Sequence, residues 1–274
     1  MTLKNPPSKD PVIELLEQLD PVEGMQTIFE GTQELEIDPN IPTIIVVIGI
    51  SASGKTSIAE NLHENTERVR TATTRARRFK ANPGKEHLTG YLNSITDMSY
   101  YIKILDFYHK KGYIEAEPSD AYTWLPWLPE DVTEEDLLAI INDYNLLESD
   151  FHYGNLYGLP KANLDEVIES KKFPVIITEI SGYKSLEALL SEKYNLLLVN
   201  ILPDDIETVK KSIQERSATT TKDQVAQRLS EEEGFLEIAY GLAHFHILNS
   251  REPGHSIKET QAELIQLLQS LNLL

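Results

Sequence analysis

The chain has no cysteine among its 274 residues. This excludes a disulfide framework, a thiolate metal centre and a cysteine nucleophile, and it makes the cytoplasm the default location. Long uncharged apolar runs are also missing, so no membrane span or membrane partner is expected. Met1-Thr2-Leu3-Lys4-Asn5-Pro6-Pro7 lacks the apolar centre of a signal peptide. Basic residues are scarce. Twenty-five Lys and Arg stand against 44 Asp and Glu, a formal net charge of −19, which argues against a broad nucleic-acid surface. No G-x-S-x-G elbow is present, so serine-hydrolase chemistry has no anchor. Apolar residues make up 41%, enough for one large domain or two smaller ones.

What the chain does contain is Gly49-Ile50-Ser51-Ala52-Ser53-Gly54-Lys55-Thr56, a match to G-x-x-x-x-G-K-[ST]. The β-branched run Thr43–Ile48 before it reads as a buried strand, and Ser57–Leu62 after it as a helix start. Strand, glycine loop and helix form a phosphate cradle. The glycines let backbone N–H groups converge on phosphate oxygens, and the helix N-terminus adds a favourable dipole. Gly49, Ser51, Ala52, Ser53, Gly54, Lys55, Thr56 and Ser57 are therefore the candidate ATP-binding residues. Lys55 would reach the terminal phosphates, and the Thr56 hydroxyl would ligate Mg²⁺.

Around this loop the pattern alternates. Pro174–Ile180, Asn195–Leu202 and His244–Asn249 read as strands, and helix starts are expected at Asn163–Glu166 and at the capping box Ser256-Ile257-Lys258-Glu259. The helix after Ser256 should bury Ile257, Leu264, Ile265, Leu268 and Leu271. Such alternation implies an α/β fold, a mostly parallel sheet with helices on both faces. Residues 1–40 read as an acidic arm with one short amphipathic helix through Val12, Leu15, Leu16 and Leu19, ahead of a main domain over 41–274. Residues 97–145, dense in Tyr and Trp and opening a helix at Thr133-Glu134-Glu135-Asp136, read as an inserted helical subdomain or lid. Arg68, Arg70, Arg75, Arg77, Arg78, Lys80 and Lys85 concentrate positive charge in one stretch of an acidic chain. His244 and His246 would point the same way from one strand, a structural arrangement rather than a metal pair.

Several motifs then line up. Thr71-Ala72-Thr73-Thr74-Arg75-Ala76-Arg77-Arg78 resembles the T-T-R-x-x-R stretch of guanylate kinases, and Gly154-Asn155-Leu156-Tyr157-Gly158 resembles their G-N-x-Y-G stretch. Glu148 is similar to their base-reading carboxylate. Arg216 and Arg228, with Thr219-Thr220-Thr221 between them, resemble their arginine-bearing lid over 216–230, and Asn249 resembles an asparagine near the end of that fold. The resemblance runs from about Ile44 to Leu268. It implies a P-loop kinase fold and ATP-dependent phosphoryl transfer to a nucleoside monophosphate, GMP or dGMP first, with ATP as co-substrate and Mg²⁺ as cofactor. Lys55, Arg216 and Arg228 would be catalytic. The acceptor would be held by Thr71, Arg75, Arg78, Glu86, Tyr91, Glu148, Tyr157 and Glu179. Expected partners are nucleotides, without nucleic acid, in a monomer or homodimer.

The departures from the pattern cluster on the acceptor side. Leu159 and Pro160 follow Gly158 where the family carries a small hydroxyl residue. Thr178-Glu179-Ile180-Ser181-Gly182 offers one carboxylate, and Phe79–Tyr91 is longer than the family pattern. A P-loop kinase with a different small acceptor, and a catalytically silent interaction module, are the alternative readings.

Overall fold

The computed structural model describes residues 10–118, 120–128, 131–152, 154–216, 234–250 and 256–274, with backbone only at 152 and 212–216. Two compact units are present, one formed by residues 1–69 with 166–274 and the other by 70–165.

The first unit begins with α1 (Pro11–Leu16), whose N-cap Asp10 accepts a hydrogen bond from the Val12 N–H. β1 (Ile28–Glu30), β2 (Thr43–Gly49), α2 (Lys55–Ala59) and β3 (Thr66–Arg68) follow. In the second unit the chain forms β4 (Ala72–Thr73), β5 (Phe79–Ala81), α3 (His87–Asn93), α4 (Met98–Lys110), β6 (Ile114–Ala116), β7 (Thr123–Trp124), α5 (Glu134–Asp143), β8 (Leu146–His152) and β9 (Asn155–Pro160). The second unit ends and the first resumes within α6 (Lys161–Glu169). Then come β10 (Phe173–Ile177), α7 (Ile180–Leu190), β11 (Asn195–Leu202), α8 (Ile206–Arg216), α9 (234–242), β12 (Phe245–Leu248) and α10 (Ile257–Ser270).

The first unit's sheet has the order β1-β12-β11-β2-β10-β3, and every pairing is parallel except the antiparallel edge β1–β12. β2 is buried along its whole length, which is why its sequence is an unbroken apolar run. One cluster joins Ile45, Val47, Val175, Leu197, Val199 and Ile247 to Leu264, Leu267 and Leu268 of α10. A second joins Ile50 and Leu202 to Val12 and Leu15 of α1, Val209 of α8 and Leu236 of α9. Full burial of such side chains contributes about 1.5–3 kcal/mol each. The N-terminal segment read as an acidic arm thus supplies both an edge strand and a packed helix. The capping box at Ser256 is formed, with Glu259 as its N3 partner. Strand β10 ends at Ile177, so Glu179 lies at the N-cap of α7 rather than on a strand. α2 is shorter than its sequence pattern and stops before Asn61, whose φ is 51°.

The second unit holds a four-stranded sheet, β7-β4-β9-β8, and the separate hairpin pair β5-β6. Residues 97–145 lie wholly within this unit and contribute to two small cores. α4 packs with α3, β5 and β6 around Leu88, Leu92, Tyr101, Leu105 and Ile114. α5, capped by a reciprocal Thr133–Asp136 box, packs Leu137, Ile140 and Ile141 on Ala72, Leu125 and Leu156 of the four-stranded sheet.

Candidate nucleotide-binding site

The loop between β2 and α2 is shaped by left-handed backbone positions and by contacts from distant side chains. Gly54 has φ 98°, and a Cβ there would lie 2.1 Å from Asn249 Nδ2, so both backbone and space demand glycine. Ala52, with φ 65°, is a second left-handed residue in the same loop. Alternation of this kind turns successive N–H groups into an anion-binding concavity. Asn249 Nδ2 donates to the Ser53 carbonyl at 2.7 Å and clamps the loop from the end of β12. Gln261 Nε2 on α10 donates to the carbonyls of Ser57, Ile58 and Glu60 at 3.2, 3.0 and 3.0 Å, satisfying the open C-terminal end of the five-residue α2. The Ser53 hydroxyl is buried and has no hydrogen-bond partner among the described residues. Lys55 Nζ donates to the carbonyl oxygens of Gly49 and Ile50 and lies 3.8 Å from Glu179 Oε1. Glu179 is therefore a neighbour of the loop lysine within the first unit. Thr56 and Ser57 are exposed at the start of α2 and Ser51 is half-buried.

In the second unit, Arg75 forms a two-pronged pair with Glu117, Nη1 to Oε2 at 2.9 Å and Nη2 to Oε1 at 3.1 Å. The same carboxylate accepts the Arg78 backbone N–H at 2.7 Å, and Arg78 Nη1 stands 4.0 Å from it. Burial would push the Glu117 carboxyl up, but Arg75 and then Arg78 overcome this and hold it below its ordinary value. Burial likewise opposes the charge on Arg75, and Glu117 reverses that, so both partners are ionised. The Arg75 guanidinium carbon lies 5.3 Å from the Tyr122 ring centre and 5.8 Å from that of Trp124. The Tyr157 hydroxyl belongs to the same group. Burial raises its pKa, while Arg75, Arg78 and a hydrogen bond with Thr73 act the other way. Arg75 is nearly buried and Arg78 about half-exposed, with side-chain exposures of 11% and 52%.

Arg75, Arg78 and Tyr157 thus come together, and Glu86 and Tyr91 do not join them. Glu86 accepts the Gly84 N–H at 2.8 Å, and the Tyr91 hydroxyl shares a hydrogen bond with Tyr100 at 3.1 Å on α4. Their places beside the arginines are taken by Glu117 and Tyr122. The sequence held a signal for this, because the E-x-x-x-x-Y spacing of Glu86–Tyr91 recurs at Glu117–Tyr122, and a third time at Glu148–Tyr153. The β5-α3-α4-β6 segment lies between the arginines and the second copy. The pairing of β5 with β6, extended by the Glu117 N–H to the Arg78 carbonyl at 3.0 Å, returns the chain to them.

Glu148 is buried on β8, at a register shift between Leu146 and Ser149, the kind of bulge that re-aims a side chain. Leu159 is fully buried on β9, so its departure from the hydroxyl pattern serves the core. Thr71 is half-buried, and its carbonyl accepts the Thr123 N–H at 2.9 Å. Arg216 ends α8 and its side chain lies outside the described residues, as does all of Arg228. Of the two histidines expected on one strand, His246 lies on β12 and His244 just before it. His244 Nδ1 accepts the Leu198 N–H at 2.9 Å, and His246 Nδ1 meets Asn200 Nδ2 at 3.0 Å.

The fold is α/β, with a G-x-x-x-x-G-K-[ST] loop between β2 and α2, and sequence comparison narrows the class. No family model matches the chain. It is 30% identical over 101 residues to a guanylate kinase of Mycoplasmopsis synoviae, covering 34% of this chain and 51% of that protein. It is 30% identical over 122 residues to a guanylate kinase of Mesomycoplasma hyopneumoniae, covering 43% and 60%. The matches therefore span about half of these relatives' length. A solved guanylate kinase from Anaplasma phagocytophilum aligns with 86% of this chain and 88% of its own at 16% identity and a TM-score of 0.46. The chain is a divergent relative, guanylate kinase-like over the matched stretch.

Proposed function

We propose that the protein transfers the γ-phosphate of ATP to a nucleoside monophosphate, with GMP or dGMP as the first acceptor to test. The observation that carries this reading is the coexistence of a complete phosphate loop in one unit with a clustered Arg75, Arg78, Tyr122 and Tyr157 in the other. Phosphoryl transfer asks a protein mainly for positioning and electrostatic stabilisation. Lys55 would exchange its carbonyl partners for donor phosphate oxygens. The Thr56 hydroxyl fits Mg²⁺, an ion that keeps several waters and takes few protein ligands. The bound ion would neutralise phosphate charge. On the acceptor side, half-exposed Arg78 would make the first contact with a phosphate, Arg75 would supply buried charge, and the two tyrosine hydroxyls would donate. Arginine suits this role because its planar fork matches phosphate oxygens. Glu148 would accept from the N1–H and N2–H₂ edge of guanine. Arg216 and Arg228 would complete the charge around the transferring group. Such a kinase would work in the cytoplasm, as a monomer or homodimer.

The test is ADP release with ATP and Mg²⁺ against GMP, dGMP, AMP, CMP, UMP and dTMP, with Lys55→Ala as the blank. Turnover confined to GMP or dGMP and abolished in Lys55→Ala supports the reading. Turnover with another monophosphate transfers it to that acceptor. Absence of turnover with all six refutes it.

A further inference from the structure

The β5-α3-α4-β6 segment, residues 79–116, has its own small core and also an outer face that this core does not use. Tyr91, Tyr100, Phe107 and Tyr113 are 41%, 48%, 50% and 36% exposed. They are not scattered. The Tyr91 and Tyr108 rings meet edge to face at 6.3 Å, Phe107 and Tyr108 at 5.4 Å, and Tyr108 and Tyr113 stack at 6.0 Å. Lysines are interleaved with the rings. Lys85 Nζ sits 4.6 Å from the Tyr113 ring centre and Lys111 Nζ 5.8 Å from that of Phe107. Tyr100, Lys103, Phe107 and Lys110 follow one another at helical spacing along α4, so they share a face.

The four carboxylates of the segment are turned to other tasks. Glu86 accepts the Gly84 N–H, Asp97 caps α4 through the Tyr100 N–H at 2.6 Å, and Asp106 holds Arg77 at 2.6 Å. Glu115 stands opposite Lys80 in the β5–β6 ladder. Among the described residues no carboxylate pairs with Lys85, Lys103, Lys110 or Lys111. In a chain with a net charge of −19, this face is an island of rings and uncompensated ammonium groups.

We propose that this face binds single-stranded nucleic acid. Linked aromatic rings offer stacking surfaces to unpaired bases, and lysines between them meet the phosphates as point charges. Tyr100 to Lys111 spans about 16 Å of helix, room for a short single strand rather than a long track. The acidic remainder of the chain opposes a broad complex, but its field is screened beyond about 8–10 Å at physiological salt, so a compact patch acts on its own. A duplex would keep its bases stacked inside and gain little from the rings. An acidic peptide would use the lysines and leave the rings without a matching function.

The experiment is fluorescence anisotropy of the full chain with labelled single-stranded dT and U oligomers of about 15 nucleotides, beside a duplex of equal length. The expected result is binding to the single strands that weakens roughly tenfold or more between 50 and 200 mM salt. A Tyr100→Ala/Phe107→Ala variant should weaken it about tenfold or more, as lost stacking predicts. Lys103→Glu/Lys111→Glu should reduce both affinity and salt dependence. All four positions are exposed, and circular dichroism with a thermal melt confirms that each variant folds. No binding at about 100 μM protein overturns the proposal. So does binding that ignores both variants, equal preference for duplex, or equal displacement by poly-glutamate, which would assign the face to an acidic protein segment.

Discussion

Replacing Glu117 by Gln tests the central electrostatic claim about the second unit. Glu117 is the partner that lets Arg75 stay charged at 11% side-chain exposure, through two hydrogen bonds of 2.9 and 3.1 Å. Removing one member of a fully buried pair costs about 3–5 kcal/mol, because the other charge is left without compensation. Glu117 is itself 23% exposed and Gln can still accept the Arg78 N–H, so a discounted loss of about 2 kcal/mol is expected. Urea unfolding read by tryptophan fluorescence is the assay, since Trp124 lies beside the Arg75 guanidinium. A cycle with Arg75→Met isolates the pair, and a coupling of about 1.5–3 kcal/mol is expected. The pH dependence has a fixed sign. The folded carboxyl is held below its ordinary 4.5, so the wild-type advantage is complete above that pH and disappears as pH falls through the folded value. Coupling below about 0.5 kcal/mol, or an advantage that persists undiminished at low pH, would refute the reasoning.

Arg78→Ala removes a half-exposed group, so folding should survive while the acceptor KM rises about 10- to 100-fold and the ATP KM stays put, as read by initial rates. Lys55→Ala should lower kcat by about 10²–10³-fold with the denaturation midpoint little changed. Gly54→Ala forces a side chain into φ 98° and against Asn249, and should cost about 1–3 kcal/mol in urea unfolding together with ATP binding by calorimetry. Burial lowers the His246 pKa to about 4 from 6.5, so the folded state excludes a proton that the unfolded chain accepts. Stability should be level above pH 6.5 and decline by about 3 kcal/mol towards pH 4, and His246→Gln should flatten that decline in urea midpoints taken across the range.

The parts of the fold that could be read in advance are those whose information is local. Thr43–Ile48, Asn195–Leu202 and Ser256–Glu259 announce themselves by unbroken apolar runs and a capping pattern, and each is present within a residue or two. β1 was not legible. Ile28–Glu30 is three residues long, and its pairing with Phe245–Ile247 depends on a partner more than two hundred positions away. Trp124 and Tyr122 looked like part of a separate insertion because density of aromatics says nothing about which strand they pair with. Only the parallel match of β7 to β4 brings them to Arg75.

The candidate phosphate loop was legible in sequence alone, since two glycines, a lysine and a hydroxyl within eight residues form a pattern that needs no distant contact to be recognised. The choice between Glu86–Tyr91 and Glu117–Tyr122 was made by tertiary structure. Both have the same spacing, and only the β5–β6 hairpin decides which carboxylate returns to the arginines. Asn249 and Gln261 belong with that second kind of information. Their single amide groups matter because the sheet order and α10 carry them to backbone carbonyls at the loop and α2, a closure that chain connectivity cannot express.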